Sequence, residues 1–159
     1  MRFGLVRGRS PVVSDGIRWE TRSVYSHANI IFDEAVFEAE ASGFVQVPSL
    51  GVNNSGCQVD LLGYKEPLSP AEEAIAWQAC QGMVGELYDY EMIKGFLTRA
   101  NYKPASSQRR LFCSEAVFLV SIALGPARLL LERIEPWAVP PEGIAISPLL
   151  QWEQTVLVP

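Results

Sequence analysis

Hydrophobic positions fall into two rhythms along this chain. Residues 3–7 (FGLVR), 24–32 (VYSHANIIF) and 36–40 (VFEAE) are short runs rich in β-branched and aromatic side chains, which predicts strands. Asp33-Glu34, between the last two runs, is a hairpin signal. Phe44–Val47 predicts a further short strand, Gly51–Gly56 (GVNNSG) a turn by composition, and Cys57–Leu62 another strand. Between the first two strands, Ser14–Thr21 predicts a short helical turn capped by Ser14 or Asp15.

The longer rhythm begins at Ser69-Pro70-Ala71-Glu72, which places Ser at the N-cap, Pro at the first helical position and Glu where it closes a capping box. A helix is predicted from there to about Val84, with Ala74, Ile75, Trp77, Ala79, Cys80 and Met83 as its apolar positions and Gly85 as its stop. A second helix is predicted over Tyr90–Arg99 and a third over Cys113–Leu124. The third is apolar nearly all round, the mark of a helix buried in a layer. Beyond Ile134, Pro136, Pro140, Pro141 and Pro148 predict an extended tail packed across the domain rather than more helix.

Composition narrows the partners. At 159 residues and 48% hydrophobic, the chain is long enough for one substantial core, and a single domain over 1–159 is expected. A net charge of −5 argues against nucleic acid, because Arg7, Arg9, Arg18, Arg22 and the Arg109-Arg110 pair are too scattered to form a phosphate-binding surface. The N-terminal stretch lacks the apolar run of a secretory signal, which predicts a cytoplasmic protein. No apolar run is long enough for a membrane span, since Gly125-Pro126 and Arg128 interrupt the longest.

The third helix opens on Cys113-Ser114-Glu115, three polar residues at the mouth of an apolar segment. A thiol at a helix N-terminus sits where unpaired N–H groups and the macrodipole favour the thiolate. The plainer alternative is a small buried residue of no reactivity. Three cysteines without paired spacing predict neither a disulfide framework nor a zinc site. Cys80 falls mid-helix and Cys57 follows a glycine turn, so both read as structural. A nucleophilic thiol needs a base, and His27 is the chain's one histidine. With so few imidazoles a His-based metal site is not expected, and no cofactor is implied.

A two-residue turn at Asp33-Glu34 would pair Ile31 with Val36, Asn29 with Glu38 and His27 with Glu40, so these polar side chains share one face. A carboxylate there would orient the imidazole. Equally, alternating charge on an edge strand can be a solvated face.

The order VYSHANIIF, VFEAEASG, GELYDYEMIKGF and RLFCSEAVFLV resembles the permuted papain-like cysteine hydrolases of the YiiX type, related to the NlpC cell-wall amidases and the lecithin retinol acyltransferase group. In that clan the strand histidine precedes the helix cysteine. The resemblance implies an α+β papain-like fold, circularly permuted, with a small antiparallel sheet against the Cys113 and Ser69 helices. It implies Cys113 as nucleophile, His27 as base, Glu38 as the residue orienting His27, and Tyr88 near the oxyanion. The ladder count favours Glu40 instead of Glu38; a bulge in the hairpin would shift that count to Glu38. The turn also lacks the glycine usual there.

The function so implied is a Cys-His-Glu peptidase or amidase acting through a thioacyl-enzyme on a peptide, amide or acyl-ester substrate, with cell-wall peptides as candidates reached by lysis or phage delivery. The alternatives are a lipid thioesterase or acyltransferase, and a catalytically silent domain binding peptide or cell-wall fragments.

Overall fold

The computed structural model describes residues 1–7, 23–89 and 110–159. Among them, β1 (Arg2–Arg7), β2 (Tyr25–Ile31), β3 (Val36–Glu40), β4 (Gly43–Val47) and β5 (Gln58–Tyr64) join a late strand in one antiparallel sheet. Two further strands, β6 (Leu87–Tyr88) and β7 (Arg110–Leu111), pair in parallel apart from it. The late strand is β8 (Leu150–Leu157), and the sheet order is β4-β3-β2-β1-β5-β8. Four helices are described: α1 (Gly51–Asn54), α2 (Pro70–Met83), α3 (Cys113–Ala123) and α4 (Pro141–Ala145). The expected class is therefore observed at the level of α+β, with a six-stranded sheet and helices. The segments predicted as a helical turn over 14–21 and a helix over 90–99, together with Arg9, Arg18, Arg22 and Arg109, lie outside the described residues.

One face of the sheet carries the main core. Phe3, Leu5, Ala28, Ile30 and Phe37 pack there with Ala76 and Cys80 of α2 and Val117 and Phe118 of α3. Each such side chain contributes about 1.5–3 kcal/mol on burial if large. Trp77 meets Phe32 and Phe37 edge-on, with centroids 5.1 Å apart in both pairs. The other face holds a smaller cluster of Val6, Val59, Leu61 and Val158, joined by Leu50 from the approach to α1.

The Ser69 cap forms as predicted: Ser69 Oγ accepts from the Glu72 N–H (3.3 Å) and Glu72 Oε2 accepts from the Ser69 N–H (2.7 Å). The buried line of α2 is Ala76, Cys80 and Met83, while Ala74 and Ile75 face out. Helical periodicity correctly indicates one apolar face, but two of the six predicted positions lie off it, because alanine and isoleucine are tolerated on a solvated face.

Two predictions need correction. Gly51–Asn54 forms a one-turn helix rather than a plain turn, closed by the Asn54 N–H donating to Leu50 O (3.0 Å). The proline-rich tail is not simply extended. It makes a 3₁₀ turn at Pro136–Ala138 and the short helix α4, whose Pro141 stands at the first position, where a missing N–H costs nothing. The tail then supplies β8, which pairs with β5 from Gln58↔Leu157 to Tyr64↔Leu150.

The β2–β3 hairpin turns at Asp33-Glu34, with the Phe32 N–H donating to Ala35 O (2.8 Å). Neither central residue takes a positive φ, so the turn has no need of glycine. Glycine is required instead at Gly43, where φ is +119° and an added Cβ would stand 2.6 Å from Glu86 O. That close approach lets the Phe44 N–H donate to the same oxygen (2.7 Å), fastening β4 to the start of β6.

Candidate active site at the head of the cysteine helix

The polar opening of α3 has a use for each residue. Ser114 Oγ donates to Val139 O (2.6 Å), fixing the helix to the tail. Glu115 Oε2 accepts from the Phe112 N–H (3.4 Å), one half of a capping box. Cys113, 3% exposed, hydrogen-bonds with the His27 side chain and lies against the backbone N–H groups of Ala28 and Ser114. Burial alone would raise its pKa. The charge and hydrogen bond of His27, with those N–H groups, outweigh burial and bring the thiol below its ordinary value.

His27 is buried in β2, and its Nε2 faces two carboxylates: Glu38 Oε2 at 3.3 Å and Glu40 Oε1 at 3.6 Å. The ladder runs without slip through Ile31↔Val36, Ile30↔Phe37 and Asn29↔Glu38. Glu38 therefore reaches His27 diagonally, as the partner of the residue two positions on, and not through the bulge invoked from sequence. Glu40, the directly opposite residue by count, also comes close but is less buried, with a side chain 20% exposed against 0% for Glu38.

Glu38 sits within a cage of amides that sequence reading passed over. Asn53 Nδ2 donates to Glu38 Oε1 (2.7 Å) and Asn54 Nδ2 to Oε2 (3.0 Å), both from α1. Burial pushes the Glu38 pKa up, but the His27 hydrogen bond and charge and the two α1 asparagines pull it net below the ordinary carboxylate value. The available signal was the Asn-Asn pair in GVNNSG, read as turn composition alone.

Tyr88 lies half-buried in β6, paired with Leu111, two residues before Cys113 along the chain. Near it, burial first and then the charges of Asp89 and Glu86 push the Glu115 pKa up to about 7. Cys80 is buried, with its thiol pushed up to about 12, and Cys57 is half-buried. Neither has a described bond to His27.

One donor atom each from His27, Glu38 and Glu40 lies within 4.8 Å of the others, close enough for a single metal ion to bridge. An imidazole and two carboxylates suit a borderline divalent ion such as zinc. Asn54 Oδ1, on the same amide whose Nδ2 donates to Glu38, is buried without a hydrogen-bond partner. The residues thus fit a metal, and the sequence argument against one counted imidazoles without counting carboxylates.

No protein-family model matches the chain, and no curated protein does. Its fold is that of the metalloprotein YiiX from Escherichia coli O157:H7, with a TM-score of 0.72 at 18% identity over 98% of this chain and 96% of that one. No described helix is long and apolar enough to cross a membrane.

Proposed function

We propose that this chain is a cysteine-dependent acyl hydrolase with a circularly permuted papain-like arrangement, in which Cys113 is the nucleophile, His27 the base and Glu38 the residue orienting the imidazole. The observation that carries this is a buried thiol drawn below its ordinary pKa by a histidine that is itself backed by an ionised, buried carboxylate. Nothing in packing alone calls for such a line of polar groups through a core.

With Nε2 turned toward Glu38 and Glu40, Nδ1 is the ring nitrogen left to take the Cys113 proton. The thiolate attacks an amide or ester carbonyl carbon, the C–S bond forms, and the oxyanion is held by N–H groups at the head of α3, with the Tyr88 hydroxyl as a second donor. The imidazolium gives its proton to the departing amine or alcohol as the C–N or C–O bond breaks. Water then gives a proton to His27 as its oxygen bonds the acyl carbon; the C–S bond breaks, the acid leaves, and His27 returns the proton to the Cys113 sulfur.

The test is the rate of alkylation of each cysteine, mapped by mass spectrometry from acidic to mildly basic pH. Fast reaction of Cys113 well below about pH 8.5, lost in His27→Ala, supports the reading. Reaction no faster than that of Cys57 overturns it and favours a silent binding domain. Panels of peptide amides and long-chain acyl thioesters then separate an amidase from a lipid thioesterase or acyltransferase.

The 4.8 Å donor group favours a second reading, in which His27, Glu38 and Glu40 hold a divalent metal. That YiiX is described as a metalloprotein agrees with it. When bound, such an ion would supply Lewis-acid polarisation of a carbonyl or an acidified water. Near-stoichiometric metal in the purified protein, lost in Glu40→Gln, would support it; metal-free protein with a fully reactive Cys113 would set it aside.

A further inference from the structure

We propose that Asn53 and Asn54 of α1 are positioning residues for the His27–Cys113 pair, acting through Glu38; the inference rests on the thiol reading above. A glutamate side chain has several rotatable bonds, and a single imidazole contact at 3.3 Å does not determine how its carboxylate lies. Here both oxygens are pinned from α1. Asn53 takes Oε1 at 2.7 Å, and Asn54 takes Oε2, the oxygen that faces His27, at 3.0 Å. With one oxygen tied by each amide, the carboxylate plane is set and Oε2 stays turned toward Nε2.

The donors are amides rather than cations, and this distinction matters. An arginine in their place would form a bidentate ion pair with Glu38 and compete with His27 for its charge. Neutral N–H groups orient the carboxylate while leaving its charge for the imidazole.

The helix holding them is itself tied down. The Cys57 N–H donates to Asn54 O (3.0 Å), the Gly56 N–H to Val158 O (2.8 Å), and the Val158 N–H returns to Cys57 O (3.0 Å). Leu50 anchors the approach in the cluster of Val6, Val59, Leu61 and Val158. The asparagines are thus referenced to the far end of the chain, not to a free loop.

The experiment uses the full chain in buffer with a metal chelator. Asn53→Ala, Asn54→Ala and Asn54→Asp are compared with the parent by the alkylation rate of Cys113 with iodoacetamide at pH 7, and by the ¹⁵N resonances of the His27 ring. Each alanine variant is expected to slow Cys113 by about tenfold and to move the Nε2 resonance, as loss of an outer hydrogen-bond partner does at other sites. Asn54→Asp, which turns a second carboxylate on Glu38, is expected to slow it further. Folded variants that alkylate at the parental rate overturn the proposal, whatever their melting temperature. If Asn54→Ala fails to fold, the half-exposed Asn53 carries the test, and an unchanged rate in Asn53→Ser and Asn53→Ala is equally fatal. A parent Cys113 no more reactive than Cys57 is a different result: the thiol reading itself fails.

Discussion

Asp60 and Glu38 are both buried carboxylates on the same sheet, and both accept from several donors, yet their surroundings differ in kind. Asp60 Oδ2 accepts from Arg7 Nε (3.0 Å) and Nη2 (2.5 Å) and from the Tyr25 hydroxyl (2.7 Å), and Oδ1 accepts from Thr155 Oγ1 (2.5 Å). Four strands, β1, β2, β5 and β8, meet in that knot. Burial pushes the Asp60 pKa up, but Thr155, Tyr25 and Arg7 outweigh it and hold the group ionised, while burial and the Asp60 bond push Tyr25 up to about 12. A guanidinium does not release its proton, so the knot has none to move near neutral pH. Glu38 is held by amides and by an imidazole, the one side chain whose unperturbed pKa of about 6.5 lies in the physiological range. The identity of the partner, more than burial or bond count, separates a clamp from a candidate reaction centre.

The sharpest break in this comparison comes from His27→Ala. It should cut Cys113 alkylation at pH 6.5 by about 100-fold or more, while Asp60→Asn leaves that rate nearly untouched. Mass-spectrometric mapping of the labelled cysteines reads both. Next in size, Asp60→Ala strands the Arg7, Tyr25 and Thr155 donors and should lower stability by about 3 kcal/mol in urea titration. If the Asp60 variant instead changed thiol reactivity, the division between the two regions would not hold.

A partly buried carboxylate, Glu115, extends the comparison. Glu115 has one backbone donor and two acidic neighbours, and burial with their charge raises its pKa to about 7 from 4.5. Between those values the folded protein holds a proton that the unfolded chain has released. Its contribution is therefore complete below about pH 4.5 and lost as pH rises through about 7. Glu115→Gln should remove a decline of about 2–3 kcal/mol between pH 5 and pH 8, seen as a flatter urea midpoint across that range. The smallest effect is expected at the exposed Arg2–Glu153 pair (2.7 Å), where Arg2→Ala should cost about 0.5 kcal/mol in the same titration and vanish in high salt.

Much of this was legible from residue order. The hairpin register, the Ser69 cap and the start of α3 at Cys113 follow from local patterns that short-range physics enforces. His27 was reached by elimination, as the chain's one histidine, and the resemblance added the order in which it and Cys113 stand. What stayed hidden was long-range. The role of Asn53 and Asn54 depends on α1 folding against Val158, a contact between distant parts of the chain. The pairing of β8 with β5 was hidden for the same reason, and because the prolines before it dominated the reading of the tail.

The sheet order has a kinetic consequence. The meander β1-β2-β3-β4 is made from strands neighbouring in sequence, and it contains His27, Glu38 and Glu40. α3 and β8 join it across much greater chain separations, and contacts of that kind form later because loop closure must come first. His27 and its carboxylates can therefore be in register before Cys113 arrives, and the proposed thiol–imidazole pair forms only as folding finishes. A nascent or partly unfolded chain would hold an ordinary cysteine, so reactivity at Cys113 would report completion of the fold.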